Sequence, residues 1–314
     1  LYRKLTLRFM FNIHEIEDDY DVFVAFETMN NRGKRLSNLE LLKNRLIYLT
    51  TLYGRSVLDE INEAALREKI NKAWKEVYYQ LGRNENTPLS DDEFLRAHWI
   101  MYFSYSRKKG DDYIKFLLRK FSHKSIFMNF AENDITVYDT IPVVTDDDET
   151  DDPSDVQENE AVEMAPGFLT PKEIADYVNS LNETAEYWYY TYYPEECNTI
   201  SKEEKVWIGR LNRIGIGYFR PLVAVSLVPS VGATAEERIE FYKAVERFIF
   251  IDFRMAMYQS SYQSSEFYRN ARKVYKNEMK LTEVATLLNE IADTDAPSAI
   301  PVSYTHLTLP TIRL

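Results

Sequence analysis

Ser37, Ser90, Thr170, Ser201 and Thr234 are each followed three residues later by a glutamate and then by a run compatible with a helix. In this spacing the hydroxyl accepts from an amide of the first helical turn, and the glutamate reaches back to the cap's own N–H. Each site therefore predicts a helix start. Pro171, at the first helical position after Thr170, strengthens the third. Apolar spacing agrees with the caps. Leu58, Ile61, Leu66, Ile70, Trp74, Val77 and Tyr78 recur at near-helical intervals around 59–81. Ile239, Phe241, Val245, Phe248, Ile249 and Phe253 do so over 236–256. No internal repeat of fixed length is visible, which argues against a solenoid. The chain is expected to be mainly α, a multi-helical array.

One segment departs from this pattern. Leu5, Leu7, Phe9, Phe11 and Ile13 alternate with Thr6, Arg8, Met10, Asn12 and His14, which predicts an amphipathic strand. A lone strand needs partners that the remaining sequence hardly supplies. The chain is thus expected to be a fragment of an α+β protein, with the missing sheet upstream of Leu1.

Composition allows a real core: 45% of the 314 residues are hydrophobic and 14% aromatic. The single cysteine, Cys197, excludes an internal disulfide and a cysteine-built zinc site, in keeping with a reducing cytoplasm. No run is long enough for a membrane span; the longest apolar stretch, 221–231, contains Ser226 and is broken by Pro229. The net charge of −12 is local in origin. Residues 146–163 hold ten acids and no Lys or Arg, and without those ten charges the chain carries −2. The low pI therefore argues neither for nor against nucleic-acid binding by the folded part. Residues 131–166 read as an acidic, disordered linker between a unit over 1–130 and a helical domain over 167–300. Val302–Leu307 resembles a translated transposase adaptor, so 301–314 is expected to be a sequencing scar.

Between the first two predicted helices lies a cationic turn. Val22, Phe23, Phe26 and Met29 give the first helix an apolar face; Asn30, Asn31 and Gly33 tolerate positive φ and stop it. Arg32, Lys34 and Arg35 place three positive charges in four residues, and Ser37 with Glu40 starts the next helix. Exposed backbone amides, an Arg-bearing turn and a helix amino terminus together make an anion site. The same residue types also compose an ordinary solvated connector.

The stretch Phe26-Glu27-Thr28-Met29-Asn30-Asn31-Arg32-Gly33-Lys34-Arg35-Leu36-Ser37, followed by Leu41-Leu42-Lys43-Asn44, resembles the second signature of the GmrSD-type restriction endonuclease N-terminal domain. That family reads Phe-Glu-x-Leu-Asn-x-Arg-Gly-x-x-Leu-Ser and then Asp-Leu-Leu-Lys-Asn. Met29 replaces the usual Leu, and Glu40 stands near the usual Asp. The likeness is dense over residues 5–50 and looser to about 125, where Phe94-Leu95-Arg96-Ala97-His98-Trp99 fits the family's helical continuation. The resemblance implies a ParB/sulfiredoxin-like domain that binds and hydrolyses an NTP with a divalent cation such as Mg, gating a nuclease that cuts foreign or modified DNA. The family's first signature, Asp-Gly-Gln-Gln-Arg, and a His-x-Pro nuclease segment do not occur in the 314 residues. The chain alone is therefore expected to be inactive.

Carried over residue by residue, the resemblance assigns Asn31, Arg32, Gly33, Lys34 and Lys43 to nucleotide binding, with Glu27 and Asn30 as candidate catalytic groups. Arg32 and Lys34 would neutralise phosphate, Asn30 would orient the loop or a water, and Glu27 would hold Arg32 or a metal-bound water. No metal ligands are assigned.

Two other clusters invite a function. Tyr187, Trp188, Tyr189, Tyr190, Tyr192 and Tyr193 form either a base-stacking platform or an aromatic core edge. Arg254, Arg269, Arg272, Lys273 and Lys276, with Tyr258, Tyr262, Phe267, Tyr268 and Tyr275 between them, form either a DNA-contacting face or a solvated basic helix face. His14, His98 and His123 stand singly, without partners at metal or triad spacing, and are read as structural. The alternatives to a nucleotide-dependent enzyme are a non-catalytic helical scaffold and a DNA-binding module.

Overall fold

The expected caps form in the computed structural model, which describes residues 36–53, 63–103, 112–127, 169–258 and 262–306. Every regular element among them is helical. They are α1 (Asn38–Leu52), α2 (Glu63–Gly82), α3 (Asp91–Tyr102), α4 (Asp112–Lys120), α5 (His123–Phe127) and α6 (Pro171–Tyr192), then α7 (Lys202–Ile214), α8 (Arg220–Leu227) and α9 (Ala235–Phe248). A π-helix (Ile249–Met255), α10 (Ser264–Tyr275) and α11 (Leu281–His306) complete the set, with short 3-10 turns at Pro194–Glu196, Gly217–Phe219 and Pro229–Val231. The mainly α expectation holds for these residues. The strand expected over 5–13 and the acidic segment 131–166 lie outside them.

Reciprocal capping boxes close at Ser37/Glu40, Thr170/Glu173, Ser201/Glu204 and Thr234/Glu237. The box at Ser90 closes only in one direction. Its hydroxyl accepts from the Glu93 amide, while the Glu93 carboxylate turns toward the Tyr192 hydroxyl, 3.5 Å away, and the charge of Arg220. Long-range partners here outcompete the local one.

Packing follows the apolar faces. Leu39, Leu42, Leu46 and Leu49 of α1 are fully buried, and α1 lies against α2 and α3. Leu66, Ile70, Trp74 and Val77 of α2 are equally buried, and α2 runs along α6. The Trp74 indole N–H also donates to the Leu39 carbonyl at 3.0 Å, tying α2 to the first turn of α1. In α8, all residues from Pro221 to Leu227 are buried, as expected of a helix that is apolar all round. It touches α3, α6 and α10, while α9 packs on α7 and α11. Helices from both sides of residues 128–168 contribute to one continuous core. No helix among the described residues is long and apolar enough to cross a membrane.

The run read as helical over 236–256 changes register at Ile249. There α9 gives way to the π-helix, whose wider turn leaves Asp252 fully buried and Phe250 largely exposed. A pattern of apolar residues at α spacing does not report such a change.

One buried ion pair fastens α7 to α9. The Glu204 carboxylate, 1% exposed, accepts from Arg238 Nε at 2.6 Å and from the Ser201 amide at 2.6 Å. Burial alone would raise the Glu204 pKa, but the hydrogen bonds from Ser201 and the Arg238 guanidinium outweigh it and hold the carboxyl below its ordinary range. Arg238→Ala would leave that charge buried and uncompensated, a loss of about 3 kcal/mol. Glu246→Ala, which breaks the more exposed pair with Arg210, should cost under about 1 kcal/mol. Urea unfolding midpoints check the ranking; equal losses would contradict it.

Candidate functional site

The residues expected to bind phosphate, Asn31, Arg32, Gly33 and Lys34, lie outside the described residues, as do Glu27 and Asn30. The described structure begins at Leu36, two residues before α1. Lys43 is half-buried on α1.

The amino end of α1 is held by partners distant in sequence. The Asn38 backbone N–H donates to Asp92 Oδ1 at 3.0 Å, and its side-chain amide donates to the Tyr113 hydroxyl at 2.8 Å. Ser37 and Glu40 close their box, with the Ser37 N–H donating to Glu40 Oε2 at 3.0 Å and the Glu40 N–H donating to Ser37 Oγ at 3.3 Å. Asp91 is also close: burial raises its pKa, a hydrogen bond involving Ser37 opposes that, and the charges of Asp92 and Glu40 add to it. Tyr78 is pushed up to about 12 by burial and by Glu40 and Asp91. The Ser37, Asn38 and Glu40 amides at this helix end are thus already engaged by side chains of the protein itself. The protein's own carboxylates already sit at the positive end of the helix and compensate its dipole.

The basic stretch is divided by its surroundings. Arg269 and Lys273 are exposed on α10, one turn apart. Arg272 is paired with Glu278 at 3.1 Å, and Arg254 donates to the Ile214 carbonyl at 3.1 Å. The Lys276 ammonium lies 3.9 Å from the Tyr102 ring centroid; burial first, then Arg272, lowers its pKa against the opposing pull of Glu278 and Asp176. Arg269, Lys273 and Lys276 are thus presented to solvent, the last with its ammonium over a tyrosine ring, and Arg272 is partly enclosed by its pair with Glu278.

The aromatic cluster forms a core edge. Trp188, Tyr189 and Tyr190 are buried. The Arg83 guanidinium lies 4.4 Å from the Tyr189 ring centroid and pairs with Glu196 at 2.9 Å. Arg220 lies 3.6 Å from the Tyr192 ring centroid and donates to the Thr191 carbonyl at 3.1 Å. The protein's own cations thus cover two of these rings, through contacts whose sequence separation hides them from any local motif.

His98 is fully buried between α3 and α6, with Nε2 2.9 Å from Ser180 Oγ. The Ser180 hydroxyl donates to the Tyr177 carbonyl, so the histidine must be the donor to Ser180. Burial, with a smaller push from Lys276, lowers the His98 pKa to about 3, which keeps the ring neutral and agrees with a structural role. An open cleft of about 650 Å³ between α2 and α6 is lined by Glu68, Lys72, Glu76, Asn179 and Glu183, with a Glu68–Lys72 ion pair of 2.7 Å at its wall. No group of three or more His, Cys, Asp or Glu side chains arranged to hold a metal ion occurs among the described residues.

No protein-family model matches the chain, and neither a curated protein nor a solved structure is detectably similar to it.

The Ser37 cap makes a direct check on this corner. Ser37→Ala should lower stability by about 1 kcal/mol through the loss of the cap to Glu40. An unchanged chemical-unfolding midpoint would show that the corner does not depend on it.

Proposed function

We propose that the Asn30–Lys34 turn is the phosphate-recognising element of a nucleotide-dependent restriction or phage-defence protein, with the helices from α1 onward as its support. The observation that carries this reading is the anchoring of the residues into which the turn leads. Ser37, Asn38 and Leu39 are held by Glu40, Asp92, Tyr113 and Trp74, so the turn leads directly into a fixed helix end. A binding turn benefits from such support because less conformational freedom is lost when a ligand is held.

In this reading Arg32 and Lys34 neutralise the phosphates of an NTP, while the amides around Asn31 and Gly33 donate to phosphate oxygens. Asn30 orients the loop or a water, Glu27 holds Arg32 or a metal-bound water, and Lys43 adds charge from α1. A divalent cation such as Mg arrives with the nucleotide. Hydrolysis, and the gating of cleavage of foreign or modified DNA, also requires the first signature and a nuclease module, neither of which occurs in these 314 residues. Arg269 and Lys273 are the remaining cations of α10 for contact with DNA.

A second reading is favoured by Asp92: a protein carboxylate on the Asn38 amide suits a non-catalytic scaffold whose turn only joins two helices. Arg32→Ala in the complete protein separates the two. Nucleotide binding predicts an affinity loss of about tenfold or more by calorimetry, with the unfolding midpoint unchanged. Unchanged affinity and turnover with a lowered midpoint would establish the scaffold.

A further inference from the structure

Asp252 is fully buried, and neither of its carboxylate oxygens has a hydrogen-bond donor among the described residues. It belongs to the π-helix, which packs against α9 and α11. Across that contact stands Asp295 of α11, whose carboxyl is near enough to exchange a hydrogen bond with Asp252 when one of the two carries a proton. With both ionised, neither can donate to the other.

The charged and titratable neighbours do not remove the conflict. From α9, Arg247 donates to the Asn289 carbonyl at 3.1 Å and to Asp293, so its guanidinium is engaged along α11 and acts on Asp252 only at a distance. Asp293 adds a further acid on the α11 side. Arg254, on the π-helix itself, faces away to the Ile214 carbonyl. After the π-helix, the Tyr258 N–H donates to the Asp252 carbonyl at 2.9 Å, and the Tyr262 hydroxyl donates to Asp295 Oδ2 at 3.1 Å. Tyr262 thus satisfies one oxygen of the pair and leaves the buried Asp252 to its partner.

We propose that Asp252 and Asp295 share one proton, and that this proton latches α11 to the π-helix and is lost as pH rises. Two carboxyls facing each other in a buried contact are most stable with a single proton between them, because two adjacent negative charges repel and the buried one lacks solvation. Burial first, then Asp295, pushes Asp252 up to about 7 against the opposing pull of Arg247. The folded pKa thus lies above that of an unfolded aspartate, near 3.9. The latch is fully formed below the unfolded value, weakens as pH rises toward the folded value and is absent above it. The inference is independent of any nucleotide site.

Thermal unfolding of the full chain and of Asp252→Asn, followed from about pH 5 to pH 8, tests the latch. Wild type should lose Tm relative to the variant as pH rises through this interval, and the variant should be the more stable at the alkaline end. Asp295→Asn, at the same contact, should flatten the profile in part, because Asp252 remains buried but loses its acidic partner, and it provides the test if Asp252→Asn does not fold. Parallel profiles for wild type and both variants would overturn the proposal. So would a rise in wild-type Tm on adding Mg²⁺ or Ca²⁺ that Asp252→Asn abolishes, since the pair would then hold a cation in place of the proton.

Discussion

An eight-residue helix whose side chains are buried from its second residue onward cannot stand at a surface, and α8 is such a helix. Its burial requires neighbours on every side, and α3, α6 and α10 supply them. Those neighbours come from both sides of the long acidic stretch, so α8 makes a single core from segments that the sequence separates. The polar residue at its start is accommodated in the same place. Arg220 lies over Tyr192 and donates to Thr191, and its charge draws Glu93 away from the cap that its spacing predicts. Central packing and peripheral hydrogen bonding are thus linked through one helix terminus.

Much of the helical architecture was legible because it depends on local chemistry. A hydroxyl and a glutamate three residues apart form a box wherever nothing stronger competes, as at Ser37, Thr170, Ser201 and Thr234. The exception at Ser90 was not legible, because Tyr192 and Arg220 are remote in sequence. The change to a π-helix at Ile249 was hidden for a related reason: Phe248, Ile249 and Phe253 suit an α-helix equally well, and only tertiary packing selects the wider turn. Clustered residue types misled where chain proximity did not mean a shared surface. Arg272 lies near Arg269 and Lys273 in sequence, yet its pair with Glu278 partly encloses it while they face solvent.

At the proposed functional corner, the sequence pointed to the Asn-Arg-Gly stretch, and the structure describes the helix end that follows it in the chain. The Asn-Arg-Gly stretch offers cationic side chains, whereas the helix end that follows is already balanced by Glu40, Asp91 and Asp92. An anion approaching the amino end of α1 meets the negative charge of these carboxylates. In the proposed reading the helix end supports the Asn30–Lys34 stretch, and recognition rests with that stretch's own residues.

Hydrogen exchange of the full chain, with and without a nucleoside triphosphate and Mg²⁺, tests this division of labour most directly. The account predicts slowed exchange within residues 30–42 on addition of nucleotide and no change in α10. No change within 30–42, or protection confined to α10, would contradict it.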